Sequence, residues 1–120
     1  LKTIYESLGK ENLSQLVDNF YDLVEENPKI SPLFKIDFEE IKEKQLLFLT
    51  QFFGGPQLYN QKFGHPRMRM RHIAHKIDEE AKDEWLDCMA KAIDKLSIDI
   101  SLKKTIFMSF PQIAQHMVNS

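Results

Sequence analysis

Apolar residues recur along this chain at steps of three and four and almost never in strict alternation, which is the spacing of helices that bury one face. Leu13, Leu16, Val17, Phe20, Tyr21 and Val24 form the first such stripe, closed by Asn27 and Pro28. The stretch Ile30-Ser31-Pro32-Leu33-Phe34 is too short and too proline-marked for more than one helical turn. From Phe38 to Phe53 helical spacing returns in two stripes, Ile41, Gln45, Phe48 and Phe52 on one and Leu46, Leu49 and Phe53 on the other. A helix apolar over so wide an arc touches two buried surfaces, of which one can be protein and the other a ligand.

Gly54-Gly55-Pro56 ends that helix, and the ten residues after it show little periodicity until Pro66 opens a short helical piece running to about His72. A connection of that length in so short a chain is a mark of function. Asp78 is placed to cap the next helix, with Glu79 and Glu80 near the positive end of its dipole. Ala81, Trp85, Met89, Ala92 and Leu96 align behind the cap. A last helix spans about Asp99 to Val118, aligning Leu102, Ile106, Phe110, Ile113 and Met117, with a kink at Pro111, which has no amide hydrogen to donate. The expected fold is all-α, one domain over residues 1–120 around one core, with no repeat or linker dividing it.

Composition narrows the function classes. Sixteen basic against eighteen acidic residues leave a net charge of -2, so bulk charge does not hold this chain on nucleic acid. The single cysteine, Cys88, excludes an intramolecular disulfide framework and fits a reducing compartment. No apolar run approaches the ~20 residues that span a bilayer, and the Leu1–Glu6 start has no secretory core. A cytoplasmic protein without membrane or nucleic-acid partners is expected.

The segment Gly64-His65-Pro66-Arg67-Met68-Arg69-Met70-Arg71-His72 carries the most specific chemistry. A glycine and a proline fix the start, arginines supply cations at a rim, and an imidazole is delivered from a short helical turn toward an apolar interior. Those are the parts needed to hold a flat, anionic, iron-containing cofactor, which points to haem. Each residue also has a plainer reading. Tyr21 and Trp85 could be core packing, and the alternating arginines an exposed basic edge. Met68 and Met89 could fill core. His72 and His75, three apart, could pair on a transition metal, but no second pair of ligands accompanies them. Gln45 is the most telling, because an amide within an apolar stripe needs a partner, either a backbone group or a bound ligand.

Taken together, Phe20-Tyr21, Pro32-Leu33-Phe34, Phe48-Leu49-Thr50-Gln51 leading into Gly54-Gly55-Pro56, the Gly64–His72 segment, Trp85-Leu86-Asp87-Cys88-Met89 and His116-Met117-Val118-Asn119 resemble a group II truncated haemoglobin of bacterial type, from end to end and in order. The resemblance implies a shortened globin, two helix pairs stacked as a 2-over-2 sandwich enclosing haem b, with a brief first helix. It implies His72 as the proximal iron ligand, Tyr21, Gln45, Ile41 and Trp85 as the distal ligand-binding set, and Phe34 as an aromatic packed on the haem. Phe48, Leu49, Met68 and Met89 join the cofactor-contacting set. Lys44 and Arg71 are candidates to pair with the two propionates, and Tyr59 and His65 to hydrogen-bond there. Ile73-Ala74-His75 after the proximal histidine departs from the family's usual proline and aromatic, as does Pro111 in the last helix.

The function so implied is reversible binding of dioxygen, CO and NO, retained by hydrogen bonds from Tyr21, Trp85 and Gln45 in a dry pocket. Ile41 offers no donor. An alternative is a haem redox enzyme, converting NO with oxygen or using peroxide, which would need an external reductase because the chain has no flavin motif. A third is a haem-free all-α interaction module. A monomer or weak homodimer is expected.

Overall fold

The computed structural model describes residues 2–33, 38–64 and 77–118, and these carry seven α-helices and one 3-10 turn. The first, α1 (Ile4–Leu8), is five residues long and depends on its cap. The Thr3 hydroxyl accepts from the Glu6 amide at 3.0 Å while the Glu6 carboxylate accepts from the Thr3 amide at 3.0 Å, so two amides that no helical carbonyl reaches are satisfied reciprocally. Gly9, at φ 84°, ends this turn and lets α2 (Lys10–Glu26) begin at once. On α2 all six residues of the expected stripe are buried, and Asn27 stops the helix. A 3-10 turn follows over Ser31–Leu33.

Helix α3 (Phe38–Phe52) buries Leu49, and Phe53 just past its end, in the core, while Ile41 and Gln45 stay half-buried. Then come α4 (Leu58–Phe63), α5 (Glu79–Asp94), α6 (Ile100–Met108) and α7 (Pro111–Met117). The Asp78 carboxylate accepts from the Ala81 amide at 2.8 Å and so caps α5 as the sequence predicts. Helix α2 lies against both α3 and α5, α3 against α4, and α5 against α6 and α7, while α1 docks on α6 and α2. The pair α2/α3 is thus stacked on α5 with α6 and α7, in a 2-over-2 helical sandwich without any strand among the described residues. Phe20, Leu13, Leu16, Leu49, Met89, Ile106 and Phe110 fill the space between them, each contributing about 1.5–3 kcal/mol for its removal from water.

Two elements differ from the sequence expectation. Residues 58–63, which show little periodicity, form α4. Gln51 on α3 holds it by accepting from the Asn60 amide at 3.0 Å and donating to the Asn60 side-chain oxygen at 3.1 Å. The last helix is two helices. Ser109 and Phe110 donate to Ile106 and Phe107 in tightened i to i−3 bonds, and Pro111 starts α7 at a position where no amide is needed.

The amino-terminal residues close onto the end of α3. The Tyr5 amide donates to the Phe53 carbonyl at 2.9 Å, and the Tyr5 ring lies so near Gly55 that a Cβ there would fall 2.7 Å from it and 2.8 Å from the Thr50 carbonyl. Among the described residues no helix is long and apolar enough to cross a membrane.

Candidate functional site

Tyr21 is carried by α2 on the face that meets α3 and α5, and only 3 % of it is exposed. Burial pushes its phenol well above the ordinary tyrosine value, because ionisation would strand a charge among apolar side chains. The hydroxyl therefore keeps its proton, and its capacity to donate, at any physiological pH.

The neighbouring Phe20, wholly buried, meets Tyr21 edge-on with ring centroids 4.9 Å apart and planes at 80°. It meets Trp85 of α5 in the same manner, at 5.0 Å and 62°. Edge-to-face contact sets the positive ring edge against the negative face of its neighbour and so fixes an angle as well as a distance. One phenylalanine in this way links the phenol on α2 to the indole on α5.

On a second contact Trp85 meets Phe110 edge-on at 5.6 Å. Phe110 in turn touches Phe52 and Phe53, Phe52 stacks on Phe48 at 5.6 Å, and Tyr59 stands edge-on to Phe48 at 5.9 Å. A continuous aromatic wall thus runs from α2 through α5 and the α6–α7 break to α3 and α4.

Gln45 lies on α3 one turn before Phe48 and Leu49, half-buried, and its amide has no hydrogen-bond partner among the described residues. Ile41 precedes it by one turn on the same half-buried stripe. Leu49 and Met89 are each 1 % exposed and pack as core, and Tyr59 is buried on α4. Lys44 has a surface partner in Glu40, 3.5 Å away, and holds its ammonium 5.4 Å from the Phe63 ring centre. His72, Phe34, Met68, Arg71, His65 and His75 lie outside the described residues.

Tyr21 and Trp85 bring a neutral buried phenol and an indole together beside an apolar aromatic wall, chemistry that suits a flat ring system such as haem and a small ligand that gathers negative charge, and α3 adds the half-buried Gln45 amide. The residues therefore fit that group. Sequence reasoning did not assign Phe20 or Phe110 to the site. In the sequence both are members of helical stripes, and Phe20 is also the residue before Tyr21.

Comparisons with known proteins agree with this geometry. The bacterial-like globin family matches residues 3–119. The group 2 truncated hemoglobin YjbI of Bacillus subtilis is 44% identical over 115 residues, covering 96% of this chain and 87% of that protein. The crystal structure of the group II truncated haemoglobin from Bacillus anthracis superposes with a TM-score of 0.95 at 38% identity, covering 100% of this chain and 93% of the other. The truncated oxygen-avid haemoglobin from Bacillus subtilis superposes at 0.93 with 42% identity, covering 98% and 100%.

Proposed function

The chain belongs to the bacterial-like globin family and, within it, to the group II truncated haemoglobins, and from that premise we propose how its own residues serve a haem protein that binds diatomic gases. The proposed group is haem b, held by one globin domain over residues 1–120. When bound, it supplies a ferrous iron that takes up a diatomic gas reversibly.

His72 would hold the iron through its imidazole. Phe34, Phe48, Leu49, Met68 and Met89 exclude water around the ring, and Arg71 and Lys44 neutralise its two carboxylates with Tyr59 as a hydrogen-bond donor. Tyr21, Gln45 and Trp85 would donate hydrogen bonds to the bound gas, and Ile41 would add bulk without a donor. Several donors acting together in a low-dielectric pocket slow escape, because leaving breaks more than one bond. Retention of that kind suits a sensor, a scavenger or a redox catalyst better than bulk carriage, and the oxygen avidity described for the Bacillus subtilis haemoglobin supports it.

The observation that carries the reading is the linkage of a buried, proton-retaining Tyr21 to the Trp85 indole through Phe20. The test is to load the purified chain with haemin, reduce it, and record absorption before and after oxygen and carbon monoxide. A stoichiometric Soret band that shifts with each gas is expected, and no specific haem band would refute the reading. His72→Ala should lose the iron–imidazole stretch of the five-coordinate ferrous form. Its persistence would move the ligand elsewhere, first to His75.

A further inference from the structure

One ring of the aromatic wall, Phe110, joins the core at the junction of two helices. Phe110 sits in the break between α6 and α7. Its amide turns back to Phe107 at 3.1 Å, its carbonyl accepts from Ala114 at 2.9 Å, and Pro111 immediately follows as the first residue of α7. Because Pro111 has no amide hydrogen, regular helical hydrogen bonding is interrupted here, and Ser109 and Phe110 make tightened i to i−3 bonds before α7 begins. The ring is 2 % exposed and meets the Trp85 indole edge-on at 5.6 Å and 64°.

Trp85 consequently meets two rings from different parts of the chain, Phe20 at 62° and Phe110 at 64°, both in the edge-to-face geometry that favours a particular interplanar angle. Phe110 also meets Phe52, with centroids 6.1 Å apart, and Phe53 at 5.8 Å, which ties it to the end of α3. An indole has one donor and two stiff torsions, so its usefulness depends on the direction in which its ring is clamped.

We propose that Phe110, at the break between α6 and α7, is a positioning residue for Trp85. It acts through the orientation of the indole donor and does not touch the bound gas. The inference rests on the donor role given to Trp85 above, and deepens it by naming what sets the angle of that donor.

The test uses the haem-loaded, reduced chain with Phe110→Leu and, as a closer volume match that removes only the ring, Phe110→Met. Trp85 is the only tryptophan, so its torsion-sensitive ultraviolet resonance Raman band reports indole orientation without ambiguity. Both variants are expected to shift that band and to speed oxygen dissociation about threefold or more, the scale of a weakened single hydrogen bond. In a Trp85→Phe background the same substitutions at 110 should change the off-rate little. An unshifted band in both variants overturns the proposal, as does an equal acceleration in both backgrounds, which would show general loosening of the core. If Trp85→Phe alone leaves the off-rate unchanged while Phe110→Leu shifts the band, the donor role has failed, and the functional part of the positioning claim falls with it.

Discussion

The Trp85 indole stands edge-on to Phe20, centroids 5.0 Å apart and planes at 62°, which ties the donor on α5 to the helix that carries Tyr21. Neither the Tyr21 ring nor the Trp85 ring is set by its own helix alone. A change in how α2 and α5 pack moves both.

Trp85→Phe keeps an aromatic ring in this bracket and removes the N–H. One hydrogen bond to a partly charged ligand contributes about 1–2 kcal/mol. Oxygen dissociation from the ferrous protein, followed by stopped flow, should therefore accelerate on the order of tenfold. An off-rate equal to the parent's would take Trp85 out of the retention network.

Tyr21 leads to a prediction about alkaline stability. Its folded-state phenol holds the proton at pH values where the unfolded chain, with an ordinary tyrosine value of about 10, has released it. Between those two values the unfolded state binds fewer protons, so stability falls as pH rises, and the contribution is fully present only below about pH 10. The urea midpoint of the parent relative to Tyr21→Phe should be steady from pH 7 to 9 and drop beyond about pH 10. A difference that stays constant through pH 11 would contradict a buried, proton-retaining phenol.

Gly55→Ala tests the closure of the amino terminus on α3. The new methyl would lie 2.8 Å from the Thr50 carbonyl, which is helical backbone and cannot swing aside as a side-chain tip can. Overpacking of this kind costs about 1–3 kcal/mol, measured as a lower urea midpoint at unchanged slope. A midpoint within error of the parent's would mean that the Tyr5 segment gives way freely.

Asp78→Ala removes the acceptor at the start of α5, a bond of 2.8 Å to the Ala81 amide. Loss of such a cap costs about 1 kcal/mol. Chemical denaturation should show it, and equal stability would assign the amide another acceptor.

That cap illustrates what the sequence makes legible. Asp78, Glu79 and Glu80 ahead of an apolar stripe are a local signal, and so are the six buried positions of α2, because a helix that buries one face repeats its apolar residues every three or four places. Helix α4 is different. Six residues are less than two turns, too few to show a period, and the Gln51–Asn60 pair that holds it joins two helices across a turn. The α6–α7 division reads in sequence only as a kink, since Pro111 signals that hydrogen bonding is interrupted without saying whether the axis continues. Of the candidate site, Tyr21, Gln45 and Trp85 could be chosen by their chemistry and by family pattern. Phe20 and Phe110 could not, because a phenylalanine in an apolar stripe looks the same whether it fills space or braces a donor, and only tertiary contact separates the two. The segment with His72 lies outside the described residues.

Cys88 lies on α5 one turn past Trp85, 4 % exposed, with the Asn27 side-chain amide 3.8 Å from its sulfur and that same amide donating to Glu84 at 2.9 Å. Burial pushes its thiol up, opposed in part by the Asn27 contact, so little reactive thiolate forms while the end of α2 stays seated on α5. Since the chain has no other sulfhydryl, an alkylating reagent reports on one position, the seam where the residues closing α2 meet α5. The protein thus carries its own stopwatch for breathing: labelling slowed by a bound gas would mean that ligand and seam move together, and labelling indifferent to gas would mean that ligands come and go by another route.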